Sequence, residues 1–369
     1  MSALKNAAEW ARGWLLDAAL PLWWERGFDR VHGGFHDKLD ALGEPADLPK
    51  RVRVQARQTY VFAQGAALGW AGPSAEAVQA GLAFMDRFRR PDGLYGPSVS
   101  REGVLLDGAP DLYDQAFVLF ALAAAQRVFP QDAALRAKAD GLLDLLLASH
   151  AHPGGGFRET DGRPGLRSNP HMHMLEALLA WAELAPESRM ASVARDIVPL
   201  ALAHMIDPAT GAVGEYFDDR WAFRSGPDGA VREPGHQFEW AYLFGEAERV
   251  LGIAHPAAAD RLYGFGARFG VRGGRALFAL NADGGVIDGS SRLWAQSERL
   301  RTAAIRGEEA DALDAFATLR EFLDGPLPGL WRERMTVDGD WVAEPSPASS
   351  LYHIMTAFVA LVETAAHAR

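Results

Sequence analysis

The chain has no cysteine among its 369 residues. Disulfides, Cys-ligated zinc, iron–sulfur centres and thiol nucleophiles are therefore excluded. Dense blocks of lysine or arginine are also missing, and the formal net charge is −11. Without such a block the chain has no footprint for a phosphate backbone, so nucleic-acid binding is not expected. The anionic surface favours solubility.

Long hydrophobic runs are absent as well. The richest one, from Ala116 to Ala125, is too short to cross a bilayer. Charged residues at Glu9, Arg12 and Asp17 interrupt the apolar N-terminal residues, so no signal peptide is predicted. We expect a cytoplasmic protein that does not contact a membrane. No linker or low-complexity segment divides the chain, which favours one domain over residues 1–369.

Glycine-rich loops punctuate the chain regularly. Six of them lie near residues 33–37, 93–96, 154–159, 211–216, 284–288 and 329–333. In each loop, glycine stands beside aromatic or β-branched residues, a combination that suits a tight turn or a small hairpin. Six similar loops in one chain indicate a repeat whose units share a structure without sharing a sequence.

Between the loops, apolar residues recur near every 3.6 positions, which indicates two alternating sets of helices. One set covers about 4–27, 75–90, 133–149, 188–205, 257–270 and 309–324. The other set is more continuously apolar and covers about 51–71, 112–128, 169–184, 235–252, 292–306 and 349–367. Twelve alternating helices predict an all-α fold, an (α/α)6 barrel of six helical hairpins joined by short loops or small hairpins. The second set forms the inner ring, because helices flanked on both sides are apolar all round.

Polar residues occur at one phase of this repeat. Six of them recur at intervals of 57 to 63 residues, each near the start of an inner helix: Arg57, Asp114, His173, His236, Gln296 and His353. If the inner helices are parallel, their N-termini gather at one mouth of the barrel. The helix dipoles there favour an anionic ligand or intermediate.

The residue types near these helix starts suit a sugar and proton transfer. Aromatic rings stack on the C–H faces of a sugar, and amides and charges match its hydroxyls. Histidine titrates near neutral pH, so it can move a proton at a carbon beside a carbonyl without a cofactor. The intermediate would be a cis-enediolate stabilised by Arg57 and the helix N-termini.

Each histidine also admits a structural interpretation when taken alone. His173 shares a helical face with Asn169, four positions earlier, but a buried histidine can simply be part of the core. Glu239 follows His236 by three positions and can orient its imidazole, accept a sugar hydroxyl or cap the helix. The shared phase of the three histidines favours an active site.

Six segments in register resemble the N-acylglucosamine 2-epimerase superfamily of sugar isomerases and epimerases. They are RVQARQTY at 53–60, DLYDQAF at 111–117, NPHMHMLE at 169–176, PGHQFEW at 234–240, LWAQSE at 293–298 and LYHI at 351–354. The amino-acid sequence of the second segment and the short length of the chain look most like the mannose isomerase branch. The resemblance implies a metal-independent (α/α)6-barrel enzyme that acts at C1 and C2 of an aldose.

The resemblance also implies roles for single residues. His236 and His353 resemble the family's acid/base pair, and His173 resembles a third active-site histidine that assists ring opening or holds the substrate. Positions that contact the reacting oxygens or the catalytic histidines correspond to Arg57, Asn169 and Glu239. The residues that look like pocket lining are Tyr113, Trp240, Trp294 and Gln296. No cofactor and no metal ligand is implied, and the protein is expected to be a monomer or a homodimer.

We therefore expect an isomerase that interconverts mannose and fructose, or close analogues. A 2-epimerase of the N-acylglucosamine, mannose or cellobiose type is the main alternative. An (α/α)6 glycoside hydrolase is a further one, with Asp114 and Glu239 as its carboxylates, and a non-catalytic sugar-binding scaffold is the last. A phosphorylated sugar also stays open, since four arginines could bind a 6-phosphate: Arg53, Arg292, Arg299 and Arg301.

Overall fold

The computed structural model describes residues 2–325 and 327–367. In chain order its α-helices are α1 (Ala3–Gly13), α2 (Leu20–Glu25), α3 (Val52–Ala67), α4 (Ser74–Met85), α5 (Leu112–Val128), α6 (Ala133–His150), α7 (Ser168–Leu184), α8 (Arg189–Leu200), α9 (Pro227–Ala230), α10 (Pro234–Leu251), α11 (Pro256–Gly270), α12 (Leu293–Arg306), α13 (Glu309–Leu323) and α14 (Leu351–His367). A π-helical turn, Trp14–Ala19, joins α1 to α2, and a second one, Ala201–Met205, extends α8. The two predicted sets of helices are both present. None of the described helices combines the length and hydropathy that a membrane span requires.

Six helices form a closed inner ring. Each of α3, α5, α7, α10, α12 and α14 packs against the next, and α14 packs against α3. The outer helices lie around this ring, with α4 on α3, α6 on α5, α8 on α7, α11 on α10, α13 on α12 and α1 on α14. The predicted (α/α)6 barrel is confirmed, together with the assignment of the inner set.

The position of each helix in the barrel explains its pattern of apolar residues. Helix α5 is buried from Leu112 to Ala125 except at Tyr113, because it has neighbours on both sides. Helix α1 buries one stripe, at Leu4, Ala7, Ala8 and Ala11, where it contacts the ring. A single stripe is typical of a helix with one face in solvent.

Short strands order the loops. They are β1 (Lys38–Leu39), β2 (Lys50–Arg51), β3 (Ser98–Val99), β4 (Leu166–Arg167), β5 (Tyr216–Phe217), β6 (Val271–Arg272), β7 (Arg275–Ala276), β8 (Ala279–Leu280), β9 (Val286–Asp288), β10 (Ser291–Arg292), β11 (Arg334–Met335) and β12 (Ser346–Pro347). All pairs are antiparallel: β1 with β12, β2 with β3, β4 with β5, β6 with β7, β8 with β9 and β10 with β11. Several of these ribbons lead directly into the start of an inner helix, so they fix the loops at that end of the barrel.

Buried polar side chains near the inner helix starts hold the loops in place. The Gln55 amide accepts from the Phe35 N–H at 2.7 Å and donates to the Phe35 carbonyl at 2.8 Å. The same two-way clamp joins Gln115 to Tyr95, Gln237 to Val213 and Gln296 to Ala276. His171 plays a similar part by accepting from the Phe157 N–H at 3.0 Å. Each clamp satisfies loop backbone groups that would otherwise be buried without partners.

Candidate active site

A cavity of about 400 Å³ opens at the end of the barrel where the inner helices begin. All six inner helices contribute to its wall. Eight of the ten predicted site residues line it: Arg57, Tyr113, Asn169, His173, His236, Glu239, Trp294 and His353. The helix starts are therefore gathered at one mouth, as the repeat predicts.

Two predicted lining residues lie elsewhere. Trp240 is 1% exposed and packs in the core, with its ring 5.7 Å from that of Phe244. It follows the cavity residue Glu239, and one helical step turns a side chain by about 100°. Gln296 is buried as the loop clamp on Ala276 and also donates to the carbonyl of Arg292 at 3.0 Å. The prediction that Trp240 and Gln296 line the pocket was wrong.

Pairs of residues three or four apart on one inner helix share a face and line the cavity together. They are Arg53 with Arg57 on α3, Asn169 with His173 on α7, and His236 with Glu239 on α10. Not all six polar residues of the sequence repeat line the cavity. Asp114 is fully buried and receives two hydrogen bonds from Arg53, at 2.6 and 3.1 Å, so it is an ion-pair partner of a wall residue.

Each of the three cavity histidines is held by a carboxylate at its Nδ1. His236 Nδ1 lies 2.9 Å from Glu215 Oε2, and His353 Nδ1 lies 2.6 Å from Glu298 Oε1. His173 Nδ1 lies 3.2 Å from the Oε2 of Glu176. A carboxylate only accepts hydrogen bonds, so each Nδ1 carries a hydrogen and each Nε2 is left for the cavity. Sequence reasoning did not identify these three glutamates as the orienting groups.

The environment of His236 favours its charged form. Burial alone would lower the pKa of its imidazole, but the negative charges of Glu215 and Glu233 raise that pKa to about 10. The Glu233 carboxylate lies 3.9 Å from the same Nδ1. Near neutral pH, His236 is therefore an imidazolium that presents an N–H at Nε2.

The environments of His173 and His353 favour their neutral forms instead. Burial, reinforced by the positive charge of Arg57, lowers the pKa of His353 well below its ordinary value. Burial also lowers the pKa of His173 to about 4, although its hydrogen bond to Glu176 opposes the shift. Both rings are neutral near pH 7 and present a lone pair at Nε2. Groups whose pKa values are pushed apart in one site are the usual acid and base of an enzyme.

The remaining wall residues provide unpartnered polar atoms and an aromatic face. Among the described residues, Arg57 Nε, Asn169 Oδ1 and both carboxyl oxygens of Glu239 are buried without a hydrogen-bond partner. Burial and the charges of Glu298 and Glu176 raise the pKa of Glu239 well above its usual range, so this carboxyl can donate as well as accept. Unsatisfied buried polar groups that border a cavity suit a ligand rich in hydroxyls.

The ring of Trp294 lies between His236, whose charged form is favoured, and His353, whose neutral form is favoured. Its centroid lies 5.0 Å from that of His236 and 5.9 Å from that of His353. Gly235 makes this position possible, because a Cβ on that residue would lie 2.3 Å from Trp294 Cζ3. On the opposite wall, Arg57 donates to the Tyr113 hydroxyl and to the Ser349 carbonyl.

Two groups of side chains in the cavity also have the spacing of metal ligands. They are His173 with Glu176 and Glu239, and His236 with Glu215 and Glu233, each with its ligand atoms within 4.8 Å of one another. In both groups the histidine Nδ1 is already hydrogen-bonded to a carboxylate. Independence from metal stays a prediction, and prolonged dialysis of the protein against a chelator is expected to leave any activity of this site unchanged.

The arginines considered for a phosphate divide into two pairs. Arg53 and Arg292 line the cavity mouth with Lys38. Arg299 points away from the mouth and pairs with Asp311 and Asp314, on the outer side of its helix. Arg301 is buried deeper in the barrel, against glutamates. Of the four arginines considered for a 6-phosphate, Arg53 and Arg292 line the cavity, whereas Arg299 and Arg301 do not and were wrongly included.

Known proteins resemble this chain over most of its length. The sequence profile of the N-acylglucosamine 2-epimerase (GlcNAc 2-epimerase) family matches residues 33–357. A mannose-6-phosphate isomerase of Rhizobium meliloti is 42% identical over 368 residues, which cover 95% of each chain. Two solved structures share the fold. A cellobiose 2-epimerase of Spirochaeta thermophila has a TM-score of 0.85 at 23% identity over 98% of this chain and 97% of its own. A D-mannose isomerase has a TM-score of 0.81 at 19% identity over 97% of both chains.

Proposed function

The chain belongs to the N-acylglucosamine 2-epimerase family of sugar isomerases and epimerases, and on that premise we propose that it interconverts mannose and fructose, or close analogues of them. The observation that carries the proposal is the pair of histidines in one cavity. His236 is protonated and His353 is neutral, so a donor and an acceptor of protons are both ready near neutral pH. An aldose–ketose isomerisation needs this combination.

The reaction proceeds on the open-chain sugar. His353 Nε2 removes the proton from C2 as His236 Nε2–H protonates the carbonyl oxygen at C1, which gives the enediol. His236 then takes the proton from O2, and His353 returns its proton to C1, which gives the ketose. Both histidines end in their starting states, so no external acid, base or oxidant is consumed.

The wall stabilises the charge that develops on the two oxygens. Arg57 lies on the same cavity, and its Nε has no partner among the described residues, so one donor is free for an enediolate oxygen. Donors already in place stabilise such charge by several kcal/mol, about 2.7–4 for one donor. His173 and Asn169 lie on α7, next to the helix that carries His236, and are placed to bind the ring oxygen or a hydroxyl during ring opening.

A 2-epimerase is the second candidate, and the same two histidines favour it. Inversion at C2 needs a base on one face of the carbon and an acid on the other, which His353 and His236 could supply. The isomerase is preferred because the relative with 42% identity is a mannose-6-phosphate isomerase, whereas the cellobiose 2-epimerase of known structure is 23% identical.

A glycoside hydrolase is less well supported. It requires two carboxyl groups that flank the scissile bond. Of the two that the sequence offered, Glu239 lines the cavity and Asp114 does not, since Asp114 is bound by Arg53 outside it. A release of reducing sugar from mannosides, abolished by Asp114→Asn, would reverse this preference.

Incubation in deuterated water tests the proposal. The purified protein is given mannose and, in parallel, mannose 6-phosphate, and the products are followed by NMR. We expect fructose or its 6-phosphate with deuterium at C1, and deuterium at C2 of the recovered aldose. Glucose or its 6-phosphate with deuterium at C2 would identify an epimerase instead. Absence of product and of deuterium with both sugars would reject proton transfer at C2 of mannose.

Two variants separate the roles of the histidines. His353→Asn is expected to abolish deuterium exchange at C2, because the base itself is lost. His236→Asn is expected to lower kcat by about 10² to 10⁴-fold while slow exchange at C2 persists, because the acid acts on oxygen. His171→Asn is a matched control, since His171 is equally buried but binds only backbone groups, Arg167 O and Phe157 N. It should destabilise the fold and leave the exchange pattern unchanged.

A further inference from the structure

A second cavity, of about 580 Å³, opens at the opposite end of the barrel, where the inner helices finish. The two cavities are separated by a layer of buried side chains. Glu176 and Arg301 belong to this layer and border the second cavity. Glu176 is 5% exposed, Arg301 is 5% exposed and Glu298 is fully buried. The layer therefore contains three charged side chains in an environment of low polarity, where charges need partners.

Arg301 is the cation that both glutamates share. Its Nη1 and Nη2 each lie 3.3 Å from Glu176 Oε1, and Nη1 lies 3.6 Å from Glu298 Oε2. The guanidinium also lies over the ring of Tyr242, 3.6 Å from its centroid. A planar fork with several donors suits two carboxylates on different helices, and a flat aromatic face holds it in one orientation.

The other oxygens of the two glutamates face the catalytic histidines. Glu176 Oε2 accepts from His173 Nδ1 at 3.2 Å and from the Tyr352 hydroxyl, and Glu298 Oε1 accepts from His353 Nδ1 at 2.6 Å. Each carboxylate is thus bound by Arg301 on one side and by a histidine on the other.

We propose that Arg301 is a positioning residue for catalysis: by binding Glu176 and Glu298 it keeps both as acceptors, so that His173 and His353 hold their hydrogen at Nδ1 and present Nε2 to the sugar. The catalytic part of this inference rests on the proposed function. The orientation of the two rings does not, and it can be measured without turnover.

Electrostatics supports the assignment. Burial raises the pKa of Glu298 to about 7, and the charge of Arg301 opposes the rise. The hydrogen bond from His173 and the charge of Arg301 lower the pKa of Glu176 to about 2, against the effect of burial. Without the guanidinium the pKa of Glu298 would rise further, so Glu298 would hold its proton throughout the neutral range and could donate it to His353 Nδ1, which would put the imidazole hydrogen on Nε2.

Removal of Arg301 should move the acid limb of the activity–pH profile to a higher pH. The charged and titratable groups around His353 are Arg57 from α3, Glu176 from α7, His236 from α10, Glu298 and Arg301 from α12, and Tyr352 from α14. Arg57 and Arg301 disfavour a proton on His353. Loss of Arg301 removes one of these cations and also raises the pKa of Glu298. The pair of His353 and Glu298 therefore binds a proton more tightly, and activity should fall at a higher pH than in the wild type.

Three variants test the proposal: Arg301→Gln, Arg301→Lys and the control Arg299→Gln. Arg299 lies two residues away on the same helix, is equally buried and is also ion-paired, but its partners Asp311 and Asp314 are remote from the histidines. For Arg301→Gln we expect kcat to fall about 10- to 100-fold with KM within about threefold. The acid limb of kcat/KM should rise by about one pH unit. Arg301→Lys should keep the limb and lose kcat, because a compact ammonium cannot bind both carboxylates as a fork does.

Nitrogen NMR of the histidine rings is the readout that does not depend on turnover. In the wild type and in Arg299→Gln, the rings of His173 and His353 should both carry hydrogen at Nδ1, and in Arg301→Gln the hydrogen of His353 should move to Nε2. Unchanged tautomers and an unchanged acid limb in a folded Arg301→Gln variant would overturn the proposal. A wild type that shows the expected tautomers but no isomerase or exchange activity would reject the proposed function and leave the positioning of the rings intact.

Discussion

Glu215 Oε2 lies 2.9 Å from His236 Nδ1, although the two residues are 21 positions apart in the chain. The glutamate sits in a loop, and the loop is tied to two inner helices. Its side chain accepts from Ser168 Oγ at 3.2 Å, and its carbonyl accepts from the Ser168 N–H at 3.2 Å. The charge that fixes the protonation of His236 is therefore supplied by a loop that the helix starts hold in place.

The wild-type pH profile follows from this contact and from that of Glu298 with His353. To act as base, His353 must be neutral with its hydrogen at Nδ1, which requires Glu298 as a carboxylate, so kcat/KM should fall as the pH drops through the Glu298 pKa of about 7. His236 must be protonated to act as acid, so kcat/KM should fall as the pH rises through its pKa of about 10. We expect a plateau between these two limbs, measured as kcat/KM in buffers of constant ionic strength. A basic limb near pH 7 would contradict the assignment of His236 as the acid.

Glu215→Gln removes a charge and leaves an oxygen that still accepts a hydrogen bond. Because an opposite charge within about 4–6 Å shifts a pKa by about 1–3 units, the basic limb of kcat/KM should move down by that amount. Glu233→Gln is the graded comparison, since its carboxylate lies farther from Nδ1, at 3.9 Å, and should produce a smaller shift. No shift in Glu215→Gln would mean that Glu215 does not control the proton on His236, and equal shifts in the two variants would contradict its larger share.

Gly235→Ala tests the position of Trp294. The new Cβ would lie 2.3 Å from the indole, so the ring must move from its place between the two histidines. We expect kcat/KM to fall about 10- to 100-fold. Gly245→Ala on the same helix is the control, because a Cβ there meets nothing within 4 Å. It should stabilise the protein by about 0.5–1 kcal/mol and leave the kinetics unchanged.

The variant Gln296→Ala tests whether this residue holds a loop in place or contacts the substrate. The variant leaves the Ala276 N–H and carbonyl without their partner, so the free energy of unfolding should fall by about 1–3 kcal/mol. Gln115→Ala breaks the equivalent clamp on Tyr95 and should cost a similar amount. In both variants kcat/KM should stay within about twofold below the unfolding transition. A large rise in KM for Gln296→Ala alone, at unchanged stability, would show that Gln296 contacts the substrate.

The helices were predictable because the features that specify a helix lie in neighbouring residues of the sequence. Apolar spacing of about 3.6 residues and glycine-rich loops gave both sets of helices and the barrel that they form. The exceptions have local causes too, since α8 continues into a π-helical turn after Pro199, and α9 is a single turn without a periodic stretch.

The site was only partly predictable. The direction in which a side chain points turns by about 100° with each residue of a helix, and a repeat of about sixty residues does not specify that direction for a single position. Gln296 and Asp114 recur in sequence with the cavity histidines and Arg57 but turn away from the cavity. Glu215 was missed since its partner lies on another element. The depth of Arg301 could not be predicted from the sequence, because its helix also carries Arg299, which faces outward, whereas Arg301 faces the barrel axis.

The packing of α1 on α14 has a consequence for how the protein reaches its native state. The hairpin that closes the ring is assembled from the two ends of the described chain, and a bond such as Trp23 Nε1 to the Gly329 carbonyl joins residues 306 positions apart. Contacts of such long range form late, because the intervening chain must first be ordered. His353 is carried by that last helix. If His353 is the base, as proposed, a nascent chain that has made only two of its three cavity histidines should be inactive, and activity should appear when the ring closes.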